Sequence, residues 1–322
     1  MKEIPVSEVT AVKIGQVENR EAGTGCTMIL AEEGMRAGID IRGGGPASRD
    51  ADLLNPLMNA GIIHGILLSG GSAFGLSAAS GAQKYLESCG IGYDVGITRV
   101  PLVVQSGLFD LAVGESSIRP DEAMGYEAAR TARETPNYRD GNYGAGCGCT
   151  VGKFLGPDYS MKSGVGSFAV QIGKVKIGAI VALNAYGDIF EWKSGRQIAG
   201  CLKEDGKSFL NTSEAMRGGM HKVANRFTGH TTLGVILTNA FFEKTALCKI
   251  AGMGHDGYAR SIRPVHTSAD GDSIYAVSAG REEADMDTVG AVGAEVISEA
   301  ITRAVLSAES AYGRISAGEL TP

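Results

Sequence analysis

The order of the apolar runs is the tightest constraint on how this chain folds. Runs that read as strands lie at His64–Leu68, Pro101–Leu111, Gly166–Ile172, Lys176–Leu183, Asp188–Trp192, Thr232–Thr238 and Ser273–Ala279. Residues 11–43 read as short strands separated by polar turns, with Cys26–Ala31 and Ala37–Ile41 the clearer segments. Helical patterns cover 72–87, 120–131, 244–259 and 288–311; in the last, Val289, Val292, Val296 and Ala300 recur at helical spacing. Strands and helices mix without a regular strand–helix–strand repeat. The pattern therefore predicts an α+β fold with antiparallel sheets rather than a doubly wound parallel sheet.

Forty-seven of the 322 residues are glycine, about twice the usual ~7% share. There is no Gly-X-Y period, so the excess belongs in tight turns and close backbone approaches. Hydrophobic residues at 43% and charged residues at 20% fit a packed core rather than disorder. The net charge of −6, with no basic stripe, argues against a nucleic-acid partner. No apolar run approaches the ~18 residues of a membrane span. The opening MKEIPVSEVT lacks the apolar region of a signal peptide. The six cysteines form no CxxC pair, and the expectation is free thiols in a cytoplasmic protein.

Two tempting motifs fail on spacing. Gly144–Lys153 reads GAGCGCTVGK, but a phosphate-binding loop requires glycine where Cys147 stands and a hydroxyl residue where Phe154 stands. Asp270-Gly271-Asp272 starts like a calcium loop and breaks at Ile274. The five histidines, at 64, 221, 230, 255 and 266, include no pair at metal-binding spacing on one helix. We expect neither metal nor cofactor.

The junction Gly229-His230-Thr231-Thr232 has a different logic. A polar stretch, 203–229, reads as a long surface loop and runs directly into a strong strand that starts at Thr231. That arrangement suits a chain that cuts itself. The Thr hydroxyl attacks the preceding carbonyl, and hydrolysis of the ester frees an α-amino group with an ordinary pKa near ~8. Nucleophile and base then share one residue. The plain alternative is a Thr-rich strand start, because Thr is a good strand residue.

Five blocks fall in order along the chain: IRGGGPASRDADLLNP (41–56), ILLSGGSAFGLSAASGAQKYLE (66–87), GAGCGCTVGK (144–153), TTLGVILTNA (231–240) and HDGYARSIRPVHTSADGDSIYAVSAG (255–280). Together they resemble the L-aminopeptidase/D-esterase family of self-cleaving N-terminal-nucleophile hydrolases, which includes β-aminopeptidases and nylon-oligomer hydrolases. The resemblance implies an α-β-β-α four-layer sandwich and a single domain, 1–322, cut into 1–230 and 231–322 between His230 and Thr231. It also implies a homo-oligomer, tetramer or larger.

Carried over by position, Thr231 matches the nucleophile, and Asn184 matches an asparagine whose amide could donate to an oxyanion. Lys153 could stabilise negative charge or hold the Thr231 amine neutral. Asp270 and Asp272 match an acidic pair, one bonding the Thr231 amine or hydroxyl and the other fixing Lys153. Relatives with a Thr nucleophile commonly have Asn before it; His230 stands here, so cutting is slower or His230 assists as a proton carrier. The implied activity is hydrolysis of short peptides, β-peptides or ω-amino-acid amides. The alternatives are an acyltransferase of the ornithine-acetyltransferase kind and an uncleaved, non-enzymatic relative.

Overall fold

The computed structural model describes residues 1–219 and 230–320. Its principal strands are β1 (Lys13–Asn19), β2 (Thr24–Ile41), β3 (Ile63–Ser69), β4 (Val103–Gly107), β5 (Val165–Ile172), β6 (Val175–Asn184), β7 (Asp188–Phe190), β8 (Thr231–Ala240) and β9 (Ser273–Glu282). The principal helices are α1 (Ala78–Ser88), α2 (Glu122–Glu134), α3 (Thr212–Arg217), α4 (Lys244–Ser261) and α5 (Met286–Leu306).

Ten strands of the described residues form one hydrogen-bonded path, in the order Lys2–Glu3, β5, β6, β8, β9, β2, β3, β4 and Ala47–Arg49, with β1 beside β2. The β8–β9 and β3–β4 pairs are parallel and the other pairs antiparallel. The fold is thus mixed α and β around a large sheet.

The strand β2 corrects the expectation of separate short strands. It is one element of 18 residues. Its first half pairs with β1 and β3, and its second half, Arg36–Ile41, pairs with β9. The polar interruption between Ala31 and Ala37 that reads as a turn lies inside this strand, with an irregularity of the ladder between Leu30 and Met35 and Gly34 at φ +84°. A bulged strand bends without ending, so β2 passes from one half of the sheet to the other.

Burial follows from residue alternation. Leu233, Val235 and Leu237 of β8 point into a core shared with Ile66 and Leu68 of β3 and Val104 of β4. Ile236 points the other way, into a core with Ile250 of α4 and Ile297 of α5. A third core joins Met28, Leu67 and Val103 to Ala82 of α1 and Ala128 of α2. The small-residue surface of α1 permits its close approach to α2. A Cβ on Gly125 would lie 1.8 Å from the Ala78 carbonyl oxygen, and one on Gly81 would lie 1.7 Å from that of Glu122.

Two further boundaries differ from expectation. The helix expected from Ser72 begins as a 3-10 turn, Ser72–Ser77, with Ser72 at φ +54°, before α1 starts at Ala78. The expected loop 203–229 contains α3, capped by Asn211, whose side chain accepts from Glu214 N. The remainder, 220–229, and with it Gly229 and His221, lies outside the described residues. All six cysteines are free thiols. Among the described residues no helix is long and apolar enough to cross a membrane.

Candidate active site

Thr231 opens β8, a central strand with a paired neighbour on each side, and is only 4% exposed. Its partner in the antiparallel ladder is Asn184, the last residue of β6. On the other side the parallel register runs from His230↔Asp270 to Leu233↔Ser273, which sets Thr231 beside Gly271. A Cβ on Gly271 would lie 2.6 Å from Thr231 Oγ1. The glycine therefore leaves the hydroxyl its space.

The carbonyl oxygen of His230 receives two donors. Gly271 N donates to it at 3.0 Å, and so does Thr231 Oγ1. The His230 ring meets Tyr186 edge to face, with centroids 4.7 Å apart.

Asn184 and Lys153 form a second cluster on the same face. Lys153 Nζ donates to Asn184 Oδ1 at 2.6 Å and to its backbone oxygen at 3.3 Å. The Thr150 N–H, which only donates, bonds the same atom at 3.1 Å and fixes it as the amide oxygen. Asn184 Nδ2 donates to the Phe109 carbonyl at 2.8 Å. The carboxamide expected to donate to an oxyanion thus orients Lys153 through its oxygen. Lys153 is brought there by hydrogen bonds from Gly152 N to Gly187 O and from Lys153 N to Tyr186 O. Burial lowers its ammonium from the ordinary 10.5 to about 7, with the Asp270, Asp110 and Asp272 charges opposing the fall.

The acidic pair divides. On β9, Ile274 faces the helices and Tyr275 the core that holds Leu233 and Val235, so alternation turns Asp272 toward α4, away from the side that Thr231 faces. Asp272 Oδ1 accepts from Thr232 N at 2.8 Å, and Oδ2 accepts from His266 N at 3.2 Å and Nδ1 at 2.9 Å. Asp270 Oδ2 accepts from Thr267 N and Oγ1 at 2.8 and 2.6 Å. Burial raises Asp270 to about 6, and the Asp272 charge adds to the rise. Asp270 precedes the strand, in a turn pinned by its own side chain.

The glycines of 43–45 hold that turn. Gly45 N donates to Asp270 O at 2.8 Å, and a Cβ on Gly43 would lie 2.3 Å from the same oxygen. Sequence reasoning did not single out His255 or His266. It also missed Lys162, a fully buried lysine that donates to the carbonyls of Gly146, Cys149 and Ser163. The signal for the histidines was inside the 255–280 block, where no local spacing links them. Among the described residues no group of three or more His, Cys, Asp or Glu could hold a metal ion.

The Thr231 hydroxyl thus lies against its own preceding carbonyl, at the start of a central strand in a mixed α/β sheet. A solved structure of L-aminopeptidase D-Ala-esterase/amidase from Ochrobactrum anthropi, described as a variant of the Ntn-hydrolase fold, superposes with a TM-score of 0.66 at 18% identity. The match covers 97% of this chain and 90% of that one, so the fold is shared.

The sequence profile of Peptidase family S58 matches residues 5–317. An uncharacterized aminopeptidase of Mycobacterium leprae is 30% identical, over 96% of this chain and 91% of that protein. A 6-aminohexanoate-oligomer endohydrolase of a Kocuria species is 28% identical, over 91% of this chain and 83% of that protein. The chain belongs to Peptidase family S58 and is a hydrolase.

Proposed function

We propose that this chain is a self-processing amide hydrolase whose nucleophile is Thr231. In maturation, Thr231 Oγ1 adds to the His230 carbonyl carbon. The carbonyl oxygen takes up negative charge beside Gly271 N–H, and the peptide nitrogen leaves with a proton as the Thr231 amine. Water then hydrolyses the ester and frees the His230 carboxylate, leaving fragments 1–230 and 231–322. In turnover the same hydroxyl attacks a substrate carbonyl, and the Thr231 amine takes the hydroxyl proton and passes it to the leaving amine. Water then releases the acyl group.

Lys153 supplies positive charge on the inter-sheet side. An ammonium lowered to about 7 by burial is divided between its two forms near neutral pH, so it can hold developing negative charge or leave the Thr231 amine neutral by like-charge repulsion. Asn184 positions it. Asp270 and Asp272 fix the turn and the strand beside the nucleophile. The observation that carries this reading is the Thr231 Oγ1 to His230 carbonyl contact, with Gly271 N–H on the same oxygen.

The substrate class is short peptides, β-peptides or ω-amino-acid amides, in keeping with the aminopeptidase and oligomer-hydrolase relatives. We read the architecture as an α-β-β-α sandwich. Helices α4 and α5 form one outer layer and α1 and α2 the other, a reading supported by the three separate cores. The assembly is a homo-oligomer of at least four chains in the cytoplasm, and exposed apolar side chains such as Leu57, Phe74 and Ile97 offer contact surface.

Intact-mass measurement with N-terminal sequencing tests the mechanism. A second N-terminus reading Thr-Thr-Leu-Gly, absent from Thr231→Ala together with activity, is the expected result. Hydrolysis of amide substrates by Thr231→Ala would refute it.

A further inference from the structure

Three hydrogen bonds in series run outward from the nucleophile strand. Asp272 Oδ2 and His266 Nδ1 are 2.9 Å apart, and His266 Nε2 and His255 Nδ1 are 3.2 Å apart. His255 Nε2 lies 3.1 Å from the Asp40 carbonyl oxygen and 3.3 Å from Asp40 Oδ1. At the inner end, Asp272 Oδ1 holds the amide of Thr232. The His255 side chain is 0% exposed, so solvent does not replace any partner there.

The protons in this chain can be counted. Each of the three bonds needs one hydrogen between its two heavy atoms. The Asp40 carbonyl only accepts, so His255 Nε2 carries the first. Two neutral imidazoles supply two hydrogens, and the series needs three. Burial lowers His255 to about 4, so its ring is neutral at physiological pH and its Nδ1 accepts from His266 Nε2–H. Both oxygens of Asp272 already receive backbone N–H groups, Oδ1 from Thr232 and Oδ2 from His266, so at His266 Nδ1 the carboxylate is the acceptor and the ring the donor. The third hydrogen therefore resides on His266.

We propose that His266 is held as an imidazolium between His255 and Asp272, and that this buried ion pair is a positioning device for the strand that carries the nucleophile. The inference rests on the reading of Thr231 as nucleophile only for its effect on turnover, not for the protonation state itself. Asp272 neutralised in this way keeps its grip on the Thr232 amide without adding net charge beside Asp270. His266 sits at φ +56°, a conformation uncommon for a non-glycine residue. The bonds from both its amide and its ring to Asp272 hold it there.

The charged and titratable groups around the pair come from every packed element. They are His255 and Tyr258 from α4, Asp40 and Arg42 from β2, Asp270 from the turn before β9, and Lys153 across the strand.

Nitrogen NMR of the full-length enzyme with isotope-labelled histidine reads the state directly. Near neutral pH, the resonances that vanish in His266→Asn are expected to show both ring nitrogens protonated. In His255→Phe two of the three bonds are gone, one proton suffices, and His266 is expected to revert to a neutral ring with one N–H. A neutral His266 ring in the unaltered enzyme overturns the proposal.

Kinetics test the positioning role. His266→Asn keeps a donor for Asp272, so it retains most of kcat. His266→Leu lowers kcat by on the order of tenfold to a hundredfold with KM little changed. Equal kcat in the Asn and Leu variants refutes the role in positioning. Activity in Thr231→Ala would instead refute the nucleophile reading and leave the NMR result standing.

Discussion

The amide nitrogen of Gly271 lies 3.0 Å from the carbonyl oxygen of His230. The donor comes from the turn that leads into β9, the strand parallel to the one that Thr231 opens, and its direction is set by the register from His230↔Asp270 to Leu233↔Ser273. The same residue, having no side chain, gives the Thr231 hydroxyl its place. One glycine thus performs two tasks, one with its N–H and one with its missing Cβ.

Gly271→Ala separates the tasks. The amide stays, while the new methyl comes within 2.6 Å of Thr231 Oγ1 and turns the hydroxyl off the carbonyl. Self-cleavage is expected to slow by on the order of a hundredfold. The fraction of cut chain, followed with time on a denaturing gel, measures it; a variant cut at the native rate would contradict the assignment.

Lys153→Met removes the ammonium and keeps the packing. Activity is expected to fall sharply, and stability is expected to change with pH in a defined sense. The folded value is about 7 against an ordinary 10.5, so between these limits the folded protein has released a proton that the unfolded chain retains. The native enzyme therefore gains stability relative to Lys153→Met as pH rises through that window. Urea midpoints of both proteins at several pH values would show the gap moving in this direction.

Asp188→Ala should weaken the segment that leads toward the junction. Asp188 is fully buried; Oδ1 accepts from Cys201 N and Thr212 Oγ1, and Oδ2 accepts from Thr212 N. Two amides at the start of α3 and the end of the 197–199 strand would lose their acceptor, a destabilisation of about 2–4 kcal/mol. Urea unfolding gives the number, and limited proteolysis is expected to find new cuts near residue 212.

Gly125→Ala tests the contact between α1 and α2. The added Cβ would lie 1.8 Å from the Ala78 carbonyl oxygen, which is backbone and cannot swing aside. The helices must separate, at a cost of about 1–3 kcal/mol or more. The thermal midpoint should fall while cleavage at 230/231, on the far core, continues.

What was readable in the sequence follows the range of the interaction. The run Thr231–Ala240 was evident because its Thr, Val, Ile and Leu residues mark a buried strand locally. Asn184 pairs with Thr231 across the ladder and Lys153 bonds Asn184, a juxtaposition that no local pattern carries. The continuity of β2 through Ala31–Gly34 was hidden, because a bulge and a turn use the same polar and glycine residues. The division of Asp270 from Asp272 depends on where β9 begins, and one residue of strand boundary reverses a side chain. His255 and His266 are separated by the end of α4 and a turn, so only the folded backbone closes the gap. Lys162 resembles any surface lysine until the carbonyls of the 144–149 loop are seen around it.

The sheet order bears on what a cut at Thr231 does to the molecule afterward. β8 and β9 both lie after the junction, yet their outer neighbours, β6 and β2, lie before it. The two pieces would be woven into one another, and neither could leave without opening a full ladder on each side. A denatured precursor can search for its fold alone, whereas the denatured cut form must first find a mate at finite concentration. Heat inactivation of the mature enzyme would then be one-way, and its durability would be measured as a half-life rather than as an equilibrium.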